Sequence, residues 1–194
     1  MSDTTGTPVV CTCGLDLSLT GTGFALKQGQ GITLATIKTV PKDFPNDLSR
    51  LLHIRDMVMG KIPDGIQMIA VEDFFTPHGP AVGAAIKLAM LGTAIRLALY
   101  EKGISFIVVA PNSLKKFITG KGSGEKSMIL REVFRRYGSE AKNDNEADAL
   151  VLAHIAESIF LTRSGVTQED QTKPQKEVVK GLLDAAAERG YNLR

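Results

Sequence analysis

Residues 14–23 read GLDLSLTGTG, and they follow a short apolar run, VVCTC (9–13), whose length and β-branched content predict a buried strand. Asp16 therefore falls near the middle or end of that strand, where an ionised carboxylate is costly to bury unless something positive holds it. Thr20-Gly21-Thr22-Gly23 predicts a turn into a second strand at Phe24-Ala25-Leu26, with glycine supplying the positive φ of a tight hairpin. An acidic residue on the first strand of such a hairpin suits a metal or a phosphate. Taken alone, a strand-end Asp capping a local turn explains it equally well.

Outward from there, GITLATIKTV (31–40) alternates as a third strand, and connections this short force an antiparallel meander. Leu48, Leu51, Leu52, Ile54 and Val58 fall at helical spacing over 47–60, with Gly60 as the stop. A fourth strand, IQMIAV (66–71), runs into Glu72-Asp73-Phe74-Phe75, and the carboxyl end of a strand is where open α/β sheets bind ligands. Residues 80–103 form a long helix of small side chains, suited to packing on the sheet or on a second copy. ISFIVVA (104–110) is a fifth strand, parallel to the fourth because a helical crossover joins them. The expected fold is α/β: a mixed five-stranded sheet, strands 1–3 antiparallel and strands 4–5 parallel, flanked by helices.

The run PNSLKKFITGKGSGEK (111–126) predicts a short helix and a glycine-rich, lysine-bearing loop that opens another helix over 125–137. Backbone amides at a helix start together with lysines suit phosphate oxygens, although the spacing is not that of a nucleotide P-loop. Lys115, Lys116, Lys121, Lys126, Arg131, Arg135 and Arg136 face only Glu125 and Glu132 in this region, a local basic patch on a chain whose net charge is +2. NDNEADAL (143–150) opens a helix reaching about residue 161, with Asp144 or Asn145 as its N-cap and Asp148 turned inward at the sheet. His154 faces elsewhere on that helix, while His78 and Phe75 lie in the loop after Glu72, where an aromatic either tucks onto the core or stacks on a base.

At 194 residues the chain is one core domain, 1–162, followed over 163–194 by a polar linker and an amphipathic helix carrying Val178, Val179, Leu182 and Ala186. Cys11 and Cys13 alternate on one strand face without the partners of a four-ligand metal site, so they are expected as buried apolar groups. No stretch reads as long and charge-free enough to span a bilayer, and the N-terminus lacks a signal-peptide layout; the expected location is cytoplasmic.

Asp16, Glu72 and Asp148, set on this order of strands and helices, resemble the RNase H-like nuclease superfamily, in which carboxylates from adjacent strands and a late helix hold two divalent ions. Clustered carboxylates repel one another, and a metal is their natural partner. Within that superfamily, residues 9–160 resemble Holliday-junction resolvases of the RuvC type. GLDLSLTGTGFAL looks like their opening motif, which implies Asp16 as first metal ligand. VEDFF looks like their second, implying Glu72 as ligand and Phe75 against junction bases. SLKKFITGKGSGEKS is similar to their lysine-bearing segment, implying Lys115 and Lys126 at the scissile phosphate, with Lys116 and Lys121 as further DNA contacts. NEADALVLA looks like the closing motif, with Asp148 as last ligand.

Many relatives carry Asp or His three residues before that final Asp. Here the residue is Asn145, which coordinates through a carbonyl without adding charge; Asp144 is offset by about 100° around the helix, and either can complete the site. The resemblance implies a metal-dependent endonuclease, Mg²⁺ with Mn²⁺ able to substitute, that cuts four-way junctions in pairs as a homodimer. Two alternatives stand beside it: a less selective nuclease for flaps and branched DNA, and a junction-binding protein without catalysis, for which Asn145 is the main argument. An actin-like or sugar-kinase reading of the same hairpin fails because the chain has no room for a second clamping domain.

Overall fold

A computed structural model describes residues 9–74, 82–123 and 126–188, the Lys126 side chain apart. Between Cys11 and Asp16 only the last residue is charged, so the segment can be covered on both faces. It forms β1 (Cys11–Asp16), buried at every position, in the middle of the sheet. β2 (Gly21–Gln28) and β3 (Gly31–Lys38) follow as antiparallel neighbours, then α1 (Asp47–Met59), β4 (Met68–Glu72), α2 (Val82–Glu101) and β5 (Phe106–Val109). The antiparallel run β1–β3 and the parallel β4–β5 pair are as the sequence predicts; the order across the sheet is β3-β2-β1-β4-β5, with β1 and β4 also parallel. Among the described residues there follow α3 (Pro111–Thr119), α4 (Lys126–Tyr137), α5 (Asp144–Arg163) and α6 (Lys173–Glu188).

The sheet separates two cores. Leu51, Ile54 and Val58 of α1 and Leu91, Ile95 and Leu99 of α2 pack with Cys13, Leu15 and Phe24 on one face. On the other face α3, α4, α5 and α6 pack with Ala25, Ala70 and Val109. The two cysteines are buried and free, as expected of small apolar groups.

The glycines of the opening motif do something other than turn the chain. The turn lies ahead of Gly21, which already stands in β2, and neither Gly21 nor Gly23 has a positive φ; the hairpin glycine of that kind is Gly29 (φ 59°), between β2 and β3. Gly14 and Gly23 are small because α5 lies on them. A Cβ on Gly14 would stand 1.9 Å from the Ala149 carbonyl oxygen, and one on Gly23 would stand 2.0 Å from that of Asn145. The periods match: four helical residues rise about 6 Å and two strand residues about 6.6 Å, so Ala153, Ala149 and Asn145 descend in step with Thr12, Gly14 and Asp16. Thr12 Oγ1 donates to the Ala153 carbonyl at 3.1 Å and fixes that register.

Three further expectations are corrected. α5 is capped by Asn143, whose Oδ1 accepts from the Glu146 amide at 3.0 Å, so neither Asp144 nor Asn145 is the N-cap. Leu48 and Leu52 of α1 are exposed, while Arg50, a charged residue on the same helix, is buried. α2 does meet the length and apolarity of a membrane span, with mean hydropathy 1.6. Its Leu91, Ile95 and Leu99 are buried against the sheet and α1, and Lys87 pairs with Asp47 at 2.7 Å, the arrangement of a helix covering a core.

Candidate active site

Parallel pairing carries two carboxylates to the same edge. Leu15 of β1 pairs with Val71 of β4, so Asp16 and Glu72 end adjacent strands one step further on. Glu72 in turn pairs with Val109 of β5, and α3 begins two residues later at Pro111, bringing Lys115 over the same edge. From above, α5 delivers Asp148, one residue before the Ala149 that lies on Gly14. Asp148 Oδ1 is closed off from solvent.

The electrostatics record this convergence. Glu72 is pushed up from the usual carboxylate value to about 9, first by burial, then by the hydrogen bond its protonated carboxyl makes to Asp16 and by the charges of Asp16 and Asp148; the Lys115 charge pulls it back down. Three carboxylates against one lysine leave an excess of negative charge in a place with little water. Their side chains do not close into a three-ligand cage in this arrangement, among the described residues. The donor set nevertheless fits a hard divalent cation, which takes carboxylate oxygens and offsets the repulsion that holds Glu72 protonated.

The backbone after Asp16 is pinned from α1. Arg50 donates from Nε to Thr39 Oγ1 at 2.9 Å and from Nη2 to the Leu19 carbonyl, and Thr39 Oγ1 donates to the same carbonyl at 2.5 Å. Thr22 Oγ1 donates to the Ser18 carbonyl at 2.7 Å inside the turn. These contacts hold the chain directly beyond the first carboxylate. Arg50 gave no sign of this role in sequence, since its partners, Thr39 just past β3 and Leu19 in the turn after β1, are brought to it only by the fold. The α5 end is tied down as well: Asn145 Nδ2 donates to the Gly21 carbonyl at 2.6 Å, and buried Glu146 accepts from Thr36 Oγ1 and from the Lys142 amide, each at 2.9 Å. Beside Glu72 a cavity of about 160 Å³ is lined by Leu17, Asp73, Phe74, Leu88 and Pro111, and the Arg96 guanidinium lies 5.9 Å from the Phe74 ring centre.

The model of the family described as crossover junction endodeoxyribonuclease RuvC matches residues 12–156. The chain belongs to the RuvC family. Crossover junction endodeoxyribonuclease RuvC of Rhodococcus jostii is 32% identical over 147 residues, 72% of this chain and 77% of the relative. The Thermus thermophilus RuvC structure superposes with TM-score 0.64 at 23% identity, over 81% of this chain and 98% of that one. The same protein solved in complex with a Holliday junction substrate gives TM-score 0.64 at 20% identity, over 80% and 96%. These two likenesses show a shared fold.

In this RuvC-family chain the structure brings together Asp16, Glu72, Asp148 and Lys115. Asn145 is engaged with Gly21, and Asp144 is half-buried in the first turn of α5. Lys116 points away from the cluster to Glu177 of α6, at 2.8 Å. Lys121 is exposed, its amide accepted by Thr119 Oγ1 at 3.2 Å. Phe75, His78 and the Lys126 side chain lie outside the described residues.

Proposed function

We propose that the chain cuts four-way DNA junctions by metal-dependent phosphodiester hydrolysis. The observation that carries this is the meeting of Asp16, Glu72, Asp148 and Lys115 at one sheet edge of a RuvC-family chain. Asp16 and Glu72 hold the floor of the site and Asp148 its roof. A bound divalent ion, Mg²⁺ with Mn²⁺ as substitute, supplies Lewis-acid polarisation of the phosphate and a water of lowered pKa. Lys115 stands where it neutralises charge developing on the phosphate oxygens, and Lys126, at the start of α4, shares that role. Asn145 is assigned the neutral place beside the metal: it neighbours Asp148 at i,i+3, and its Nδ2 bond to Gly21 fixes the amide plane while leaving Oδ1 as a donor.

Phe75, three residues past the strand that carries Glu72, is assigned to the junction bases, and Lys121 with Lys116 to phosphates. A four-way junction has two-fold symmetry, and two opposed cuts need two sites. The homodimer face assigned here is the α1–α2 layer, whose outer surface exposes Leu48, Leu52, Ile86, Met90, Leu97 and Tyr100. The chain's place of work is the intracellular compartment that holds the DNA.

The test is cleavage of an immobile synthetic four-way junction beside linear duplex and a splayed fork, with Mg²⁺, Mn²⁺ or EDTA, for wild type and Asp16→Asn. Symmetric nicks on the junction that need metal and vanish in the variant support a resolvase. Equal cutting of the fork makes it a general branched-DNA nuclease, and tight binding without cutting under either metal makes it a binding module.

A further inference from the structure

The helix after the family-matched span carries its charges the wrong way round. A helix is stabilised by acidic side chains at its N-terminus and basic ones at its C-terminus. α6 has no acidic residue in its first turn and no basic one in its last. Lys173, Lys176 and Lys180 stand in the N-terminal half with a single acid, Glu177, and Asp184 and Glu188 in the C-terminal half. This order gains the helix nothing from its dipole and leaves cations at the end nearest α3.

The packing shows what that end adjoins. Val178, Val179, Leu182 and Ala186 seat α6 in the same core as Leu114, Phe117 and Ile118 of α3. Its Pro174 lies against the end of α3: a Cβ on Gly120 (φ +81°) would stand 3.7 Å from Pro174 Cγ. Glu177 is held by Lys116 at 2.8 Å, with the Lys173 charge also acting on it, and the exposed Lys180 is paired with Asp184 at 2.5 Å; Lys173 and Lys176 are exposed as well, and Lys173 adjoins the Pro174 that lies against Gly120, next to Lys121. α3 has nine residues, about 13 Å. It begins at Pro111, which shares a cavity wall with Glu72, and ends at α6. That length is close to four 3.4 Å steps of one duplex strand.

We propose that α6 extends the DNA-contact surface: Lys173 and Lys176, continuous with Lys121, hold the phosphate backbone of a duplex arm about four steps from the cut. This rests on the reading of the chain as a branched-DNA nuclease and adds a second contact region to it. The lysines touch no reacting atom, so they act on arm binding and leave the chemical step alone.

The experiment compares wild type, Lys173→Gln/Lys176→Gln and Lys180→Gln on a long-armed junction and on one with arms trimmed to the core, measuring affinity against salt and cleavage at saturating enzyme. Loss of two phosphate contacts lowers the slope of log K against log salt by about 1.8. The expected result is that drop for the double variant on long arms only, an unchanged slope for Lys180→Gln, unchanged thermal unfolding and an unchanged cleavage rate. A double variant with the wild-type slope on long arms overturns the α6 contact and leaves the nuclease reading intact. A wild type that fails to bind either junction overturns both.

Discussion

Asn145 Nδ2 donates to the carbonyl oxygen of Gly21 at 2.6 Å, joining positions 124 residues apart in the chain. The bond ties the start of α5 to β2 beside Asp16, and it forms because glycines at 14 and 23 let the helix lie on the sheet. Placement of Asp148 over Asp16 and Glu72 therefore depends on the absence of two methyl groups.

Gly23→Ala and Gly14→Ala are each expected to destabilise the protein by about 3 kcal/mol, because the new Cβ meets helix backbone rather than a movable side chain. Gly181→Ala in the interior of α6, whose Cβ would meet nothing within 4 Å, is expected to stabilise it by about 0.8 kcal/mol through helix propensity. Urea unfolding midpoints of the three variants check both signs.

The charge cluster makes a prediction about pH. Glu72 in the folded protein is pushed up to about 9, above its ordinary 4.5. A carboxyl shifted upward contributes stability that is present below 4.5 and lost as pH rises toward 9. In EDTA, wild type is expected to lose stability relative to Glu72→Gln across that window, and a saturating divalent cation to close the gap. Thermal melts of the pair from pH 5 to pH 9 measure it; parallel curves in EDTA count against a shared carboxylate cluster.

Lys115→Ala is expected to slow single-turnover cleavage about 100-fold, the usual loss when one stabilising donor is removed from a developing oxyanion. Junction affinity should change little, since one phosphate contact among many carries a small share of binding. An affinity loss as large as the rate loss would move Lys115 from the reacting phosphate to the arms.

The far end of α5 holds a second buried polar group. Lys27 Nζ lies 2.7 Å from Glu157 Oε1, His154 Nδ1 lies 3.7 Å from Glu157 Oε2, and the Tyr137 ring stacks on His154 at 3.6 Å. Lys27→Met strands Glu157 and is expected to cost about 3 kcal/mol, while Lys27→Met/Glu157→Leu recovers most of it. His154 is held below its usual value, first by burial, so its contribution to stability is present above 6.5 and lost as pH falls. Acid unfolding of wild type against His154→Leu measures that part.

The strand directions within 1–3 and 4–5 and the strand end that carries Glu72 were legible because strand period, crossover length and strand ends are local signals, whereas the seat of β1 between β2 and β4 came from the fold. What failed were choices among equals and facts set by distant partners. Asn143, Asp144 and Asn145 are all good caps, and only the lie of α5 on β2 selects the first. Gly21 and Gly23 look like a turn because the helix that needs them comes 120 residues later. Arg50 and the Lys27 group are invisible for the same reason: their partners are neighbours in space alone. The amphipathic pattern of the last helix announced a buried face, and its seat against α3 came from the fold.

The most direct measurement is the product formed from a supercoiled plasmid carrying an extruded cruciform, with Mg²⁺. A first nick relaxes the plasmid and lets the cruciform reabsorb, so linear product requires both cuts within one bound complex. Linear plasmid with symmetric ends, absent for Asp16→Asn, is the predicted result. Nicked circles as the sole product, or equal nicking of a plasmid without the cruciform, would contradict paired junction resolution.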